Sequence, residues 1–165
     1  MSAAKWILSG ILACSMASLA SEGDLLIDVG PAAVGRTYSG FEVPMLGAQF
    51  SVLKGFNDQT DIGLAASFDY GKGKYDGPSV TWTTVGIQSW FTGFNGDIRP
   101  QIGGTMGITM DSEGNAMLHL AARMRGLMEL STGFRLFAGA AAGGDIGDAG
   151  CMFAKGEFGA EFLIP

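Results

Sequence analysis

The chain has 165 residues and a formal net charge of −6, enough for one domain and too short for two of ordinary size. Apolar residues make up 47% and charged residues only 16%, below the roughly 25% usual for a soluble domain; such a chain can bury a core, which excludes disorder, and its 27 glycines follow no three-residue period, which excludes a collagen. Beyond the N-terminus no apolar run reaches the ~18 residues of a spanning helix, so if this chain crosses a membrane it does so as a closed β-barrel.

Residues 1–20 have the three-part layout of a secretory signal peptide: Lys5, the apolar stretch Trp6 to Ala13, then small residues ending Ser18-Leu19-Ala20. Cleavage is expected after Ala20, leaving residues 21–165 as the folded domain. Ile11-Leu12-Ala13-Cys14 is similar to a lipobox, although Leu12 fits poorly, and lipoprotein processing at Cys14 is the alternative. Loss of Lys5 leaves 9 basic and 16 acidic residues, a formal charge of −7. Such a chain lacks the basic footprint that nucleic acid requires. Cys151 is then alone, which leaves no intramolecular disulfide and no thiol metal cluster.

The mature chain alternates with a period of two. The first strand is expected over Asp24 to Val34, with Leu25, Ile27 and Val29 opposite Asp24 and Asp28. The second covers Phe41 to Gly55, with Leu46, Ala48, Phe50 and Val52 opposite Gly47, Gln49 and Ser51. In the third, Asp61 to Tyr70, Ile62, Leu64, Ala66, Phe68 and Tyr70 share one face. The fourth, Val80 to Phe91, alternates less clearly. In the fifth, Ile98 to Asp111, Ile98, Ile102, Met106, Ile108 and Met110 oppose Arg99, Gln101, Gly103, Thr105 and Gly107. The sixth, Ala116 to Met128, sets Leu118, Leu120 and Met124 against His119, Arg123 and Arg125; helix is its main rival, because Ala, Leu, Met and Arg are good helix formers. The seventh, Phe134 to Ala142, opposes Leu136 and Ala138 to Arg135, Phe137, Gly139 and Ala141. The eighth, Met152 to Ile164, opposes Phe158, Phe162 and Ile164 to Lys155, Glu157 and Glu161. A period of two means one apolar and one polar face, and ten or more residues is the length of a tilted membrane crossing.

The connections 56–60, 92–96 and 129–133 read as short turns, whereas 35–40, 71–79 and 143–150 read as looser loops, and 111–115 is a short exception. The aromatics are expected in two girdles: Phe56, Trp90, Phe91, Phe94, Phe134 and Phe162 at one end, and Tyr38, Phe41, Phe68, Tyr70, Trp82 and Phe153 at the other.

The signal peptide, the eight amphipathic segments and the closing run Gly156 to Ile164 together resemble the small bacterial outer-membrane β-barrel proteins of the OmpA-transmembrane, OmpX and OmpW-like group. Those proteins usually end on an aromatic residue, whereas this chain ends Leu163-Ile164-Pro165. The resemblance implies an all-β, eight-stranded antiparallel up-and-down transmembrane barrel in the outer membrane, with outer-membrane lipid as its surroundings.

Asp28, Asp61, Arg99, His119, Arg123, Arg125, Arg135, Glu157 and Glu161 are then the inward charged or titratable residues and the candidate lumen ligand-binding set. An isolated buried charge is expensive, so opposite charges are expected to pair there and close the short-turn half of the lumen. Gly47, Gly103, Thr105, Gly107, Gly139 and Ala141 are small and inward, and the expectation is a shallow cavity at the other end. The expected role is non-enzymatic: envelope structure, or contact with an extracellular surface partner through the loops. Binding or transport of a small apolar ligand is what an OmpW-like resemblance implies instead. A third alternative is lipid A modification. It needs a nucleophile or base with an oriented partner, and His119, the only histidine, lacks the His-x-Ser arrangement of the deacylases. No cofactor or metal motif is present.

Overall fold

The computed structural model describes residues 24–165 except 39–40, 58, 73–78, 95–96 and 148–149. The proposed signal peptide and Cys14 lie outside the described residues. Eight strands occupy nearly all the rest: β1 (Leu25–Tyr38), β2 (Phe41–Asn57), β3 (Thr60–Lys72), β4 (Ser79–Thr92), β5 (Ile98–Asp111), β6 (Ala116–Ser131), β7 (Phe134–Ile146) and β8 (Cys151–Ile164). Every strand pairs antiparallel with its sequence neighbours, and β8 pairs with β1 to close the barrel. The β6 segment is strand throughout, so the helical rival fails.

The register sets the shape. Following ladder partners once around from Ile27 gives Val52, Leu64, Ile87, Met106, Leu120, Gly144 and Met152, and Met152 faces Thr37. The circuit returns to β1 ten residues further on, from 27 to 37. That stagger tilts the strands about 40° from the barrel axis. An eight-stranded wall encloses a space that side chains can fill.

The strands are longer than the sequence suggested. β1 runs four residues past Val34, β7 four past Ala142 and β2 two past Gly55, and β8 begins one residue earlier, at Cys151. The connections at the upper end, opposite the chain termini, shrink to 39–40, 73–78, 112–115 and 147–150, against 58–59, 93–97 and 132–133 at the lower end. The expected contrast in loop length is therefore slight. Gly35, Gly143 and Gly144 suggested loops, yet they lie in ladder register.

The two faces are inverted relative to a soluble barrel. Leu46, Ile102, Met124 and Phe158 stand 61–75% exposed on the outer wall. Asp28, Arg36, Asp69, Arg125, Asp145, Glu157 and Glu161 are buried at 1–4%. One expected feature is overturned. Trp82, Trp90 and Phe153 do not stand in girdles; they point inward and are buried. Trp82 and Trp90 share parity with Thr84 and Gln88, all buried on the lumen side of β4. Phe56, Phe91, Phe94 and Phe162 at the lower end, and Phe68 and Tyr70 at the upper end, are exposed as expected. The side chains of Tyr38 and Phe41 lie outside the described set.

Candidate functional site

The lumen is stacked in tiers. At the lower end Leu26, Leu53 and Trp90 pack together with Leu163. Arg125 lies beside this apolar layer, its guanidinium 4.4 Å from the Trp90 ring centroid and 4.9 Å from that of Phe137. It donates to Asp28 and to Glu161, each at 2.7 Å, and to Gln101 at 2.6 Å. The register explains why Arg125 belongs there. Asp28 faces Glu161 directly across the β1–β8 ladder, and two like charges so placed repel. A guanidinium with five donors reaches both. Arg135 completes the tier by donating to Glu161 at 2.8 Å, and Ser51 donates to Asp28 at 2.9 Å.

The middle tier centres on Arg123. It donates to Glu157, to Gln49, to Thr105 and, through a short contact, to Gln88. Its guanidinium lies 5.1 Å from the Trp90 centroid.

The upper tier is where the sequence reading fails. The expected shallow cavity is filled. Arg36 donates to Asp69 at 2.9 Å and also pairs with Asp145. Its guanidinium lies 4.5 Å from the Trp82 centroid and 5.1 Å from that of Phe153. Lys155 approaches Asp69 at 3.6 Å. Val34, Met45, Met117 and Cys151 pack with Trp82 and Phe153 as an apolar cluster at this end.

The small inward residues serve a different purpose from the one expected. A Cβ on Gly103 would collide with the Trp90 ring, one on Gly139 with Arg125, and one on Gly47 with the Asp69 carboxylate. Each glycine makes room for a large inward neighbour on the adjacent strand, so small residues mark where the interior is full.

Of the nine sequence candidates, Asp28, Arg123, Arg125, Arg135, Glu157 and Glu161 are joined in the lower and middle tiers. Asp61 accepts a long hydrogen bond from Gln101 at 3.4 Å. Arg99 sits apart at the lower rim, where its side chain is 35% exposed and pairs with Glu129. His119 belongs to the upper tier. Its Nδ1 lies 2.7 Å from Asp145 and 3.3 Å from the Thr109 hydroxyl, and its ring stacks on Phe153 at 5.0 Å. Arg36, Asp69 and Asp145 were missed as site residues. Arg36 and Asp145 fall in the segments read as loops, although parity with Val34 and with Ala141 marks both as inward.

Between the upper and middle tiers remains a cavity of about 40 Å³, lined by Asp28, Arg36, Asp69, Arg123 and Lys155 among others. Of these lining residues, Asp28 Oδ1, Asp69 Oδ1, Arg36 Nε and Arg123 Nε are buried without a hydrogen-bond partner among the described residues. At ~10–15 Å³ per water the space suits roughly three water molecules and nothing the size of a lipid or metabolite. Among the described residues no group of three or more His, Cys, Asp or Glu side chains has the geometry of a metal site.

The His119–Asp145 contact is half of an acid–base arrangement. Both of its hydrogen-bonding neighbours, Asp145 and Thr109, meet the same nitrogen. A nucleophilic triad needs the orienting carboxylate on one ring nitrogen and the nucleophile on the other. Here the Asp145 carboxylate and the Thr109 hydroxyl share Nδ1, which is not that arrangement.

No family model matches the chain, and no curated protein matches it by sequence. Solved structures do match it in shape. Neisserial surface protein A superposes with a TM-score of 0.71 at 14% identity, covering 86% of this chain and 99% of that one. Ail of Yersinia pestis, solved in complex with the heparin analogue sucrose octasulfate, gives 0.55 at 16% identity over 87% and 100%. The N-terminal β-barrel domain of Pseudomonas aeruginosa OprF gives 0.51 at 14% identity over 87% and 98%. At these identities the likeness is one of fold, and the chain has the closed, eight-stranded, antiparallel architecture of the small outer-membrane β-barrels.

Proposed function

We propose that this chain is an integral, non-enzymatic protein of the bacterial outer membrane, secreted by a signal peptide cleaved after Ala20, with a structural role in the envelope. The observation that carries this reading is the inverted distribution of side chains: an apolar wall around a charged interior. In water such a wall is an aggregation surface; in a bilayer it is the required surface, and the closed barrel leaves no backbone edge unpaired. Strands of 13 to 17 residues at this tilt span a hydrocarbon core.

The interior supports a lumen that does not conduct. Apolar clusters lie at both ends, three guanidinium-centred networks lie between them, and the cavity between the tiers is water-sized, while a recess of about 350 Å³ lined by Leu26, Asp61, Arg99 and Arg135 among others is confined to the lower rim. The upper connections favour structure over adhesion. They are two to six residues long, and their charged residues Lys74, Asp76, Glu113 and Asp148 sum to −2. A polyanion such as the heparin analogue held by Ail would find no basic surface in them.

Two measurements test the proposal. The membrane fraction, run on a gel with and without boiling, is expected to show a compact band that shifts on heating. Purified protein in a planar bilayer is expected to give no stable current. A large, non-selective conductance would overturn the sealed lumen, and recovery of the folded protein in the soluble periplasmic fraction would overturn the membrane placement. The lipid-modifying alternative requires His119→Ala to change the lipid A of the membrane, and no change is expected.

A further inference from the structure

We propose that the lipid-facing side of β5–β6 is an oxidation site, where a column of methionine thioethers reduces hydroperoxides dissolved in the membrane. The inference rests on the membrane reading above. Of the nine methionines, Met1 and Met16 fall in the proposed signal peptide. Met45 and Met117 are buried in the lumen at 4% and 2% exposure. Met106, Met110, Met124, Met128 and Met152 stand 43–68% exposed on the outer wall, and the first four share two adjacent strands. The ladder sets them in order: Met128 faces Ile98, Met124 faces Ile102, Met106 faces Leu120 and Met110 faces Ala116. Each step is four residues, about 13 Å of strand. At a tilt of about 40° the column covers about 30 Å of depth, the thickness of the hydrocarbon core.

Lipid requires only that these positions be apolar, and Ile98, Ile102, Leu118 and Leu120 on the same face meet that requirement with hydrocarbon alone. A thioether adds a reducing group. Its sulfur attacks the outer oxygen of a hydroperoxide. An S=O bond forms, the O–O bond breaks, and the proton passes to the oxygen left behind, which departs as an alcohol. Sulfur gives up two electrons and the peroxide takes up two, so no other reductant enters. Met124 and Met106 lie away from both ends of their strands, so an oxidant reaches them through the lipid. Between their rows the small pair Gly104 and Ala122 lowers the wall into a recess of about 440 Å³, bordered by Ile87, Met106 and Leu120. The flank of Met106 is thereby open to an acyl chain that carries the peroxide.

The experiment uses the mature protein folded in vesicles of saturated phosphatidylcholine doped with linoleoyl phosphatidylcholine hydroperoxide. A metal chelator and catalase are present, so that the lipid hydroperoxide is the oxidant. Peptide mapping by mass spectrometry is expected to find sulfoxide on Met106, Met110, Met124 and Met128 and none on Met45 or Met117, with hydroxy-lipid formed in equal amount to sulfoxide. The quadruple variant Met106→Leu, Met110→Leu, Met124→Leu, Met128→Leu keeps the wall apolar at nearly the same volume, and its heat-modifiable gel shift is expected to stay. Its consumption of hydroperoxide is expected to fall about fivefold, because Met152 is then the one wall thioether left of five. Unchanged consumption by the variant would overturn the oxidation site. So would sulfoxide spread evenly over lumen and wall in wild-type protein that keeps its gel shift, and this map decides the matter even if the variant does not fold. A wild-type protein that forms no heat-modifiable barrel in these vesicles would instead overturn the membrane reading on which the inference rests.

Discussion

Replacing Arg125 with Met tests whether the lower tier is one coupled unit. The side chain is 1% exposed and neutralises two carboxylates, Asp28 and Glu161, that face each other across a ladder. Removing one partner of a buried ion pair costs about 3–5 kcal/mol, because the remaining charge stays buried. Loss of the cation–π contacts with Trp90 and Phe137 adds about 1–2 kcal/mol, and Met returns about 1 kcal/mol through sulfur–aromatic contact and retained volume. The single variant is therefore expected to lose about 3–6 kcal/mol. The triple variant Arg125→Met, Asp28→Asn, Glu161→Gln carries no orphaned charge at this ladder pair, and neutral replacements of buried ion networks are often tolerated. It is expected to lose less than the single variant, by about 2 kcal/mol. The assay is urea unfolding of the mature protein in lipid vesicles, followed by the fluorescence of Trp90 and Trp82 and by gel mobility. A single variant within 1 kcal/mol of wild type, or a triple variant whose loss equals the sum of three independent losses, would refute the reasoning.

The cavity gives a second test: Ala141→Leu, which adds bulk to its lining, is expected to destabilise the fold by about 1–3 kcal/mol, since displaced water leaves Asp28, Asp69, Arg36 and Arg123 atoms unsatisfied. A dry cavity would give stabilisation in the same vesicle assay. Gly103→Val is expected to lose most of its refolding yield, because its Cβ meets both the Trp90 ring and the Ser89 carbonyl, whereas Gly156→Ala, with nothing within 4 Å, is expected to refold as wild type. Met106→Arg, mid-way along the exposed face of β5, is expected to cost about 2–4 kcal/mol in a bilayer, and Ile98→Arg at the strand's lower end less than about 1 kcal/mol. Equal costs at the two depths would contradict the placement of the wall in hydrocarbon.

The alternation in β3, β5 and β8 made the eight strands, their faces and the charged interior legible in the sequence. Ile62 and Ile102 are exposed, and Glu157 and Glu161 are buried, as parity requires. What could not be read was which inward residues meet. Arg125 reaches Asp28 across 97 residues of sequence, and Arg36 reaches Asp145 across 109. Those meetings follow from the ten-residue stagger, which no local pattern encodes. Glycine caused several of the other errors. At Gly35 and at Gly143-Gly144 it suggested loops and cost the reading Arg36 and Asp145; at Gly47, Gly103 and Gly139 it suggested empty space. In a tightly curved wall, glycine lets a neighbouring backbone or a large inward side chain approach closely.

The buried charges need a reason, because an ion network in a protein interior is often no more stable than a well-packed apolar replacement. The β6 segment supplies one. Its outward residues include Leu118, Leu120, Met124 and Met128, which a lipid-facing wall requires. If positions 119, 123 and 125 were also apolar, residues 116–125 would form an unbroken apolar run of strong helix formers, with nothing in the pattern to select strand over helix. His119, Arg123 and Arg125 restore the period of two and thereby fix which face turns inward, since a slip of one residue would present three polar side chains to the lipid. Each then needs a partner in a narrow lumen. Asp145, Glu157 and the Asp28–Glu161 pair provide one in each tier. On this argument the buried charge networks are a consequence of specifying the strand faces, and the partners of β6 occupy the lumen because they satisfy its charges.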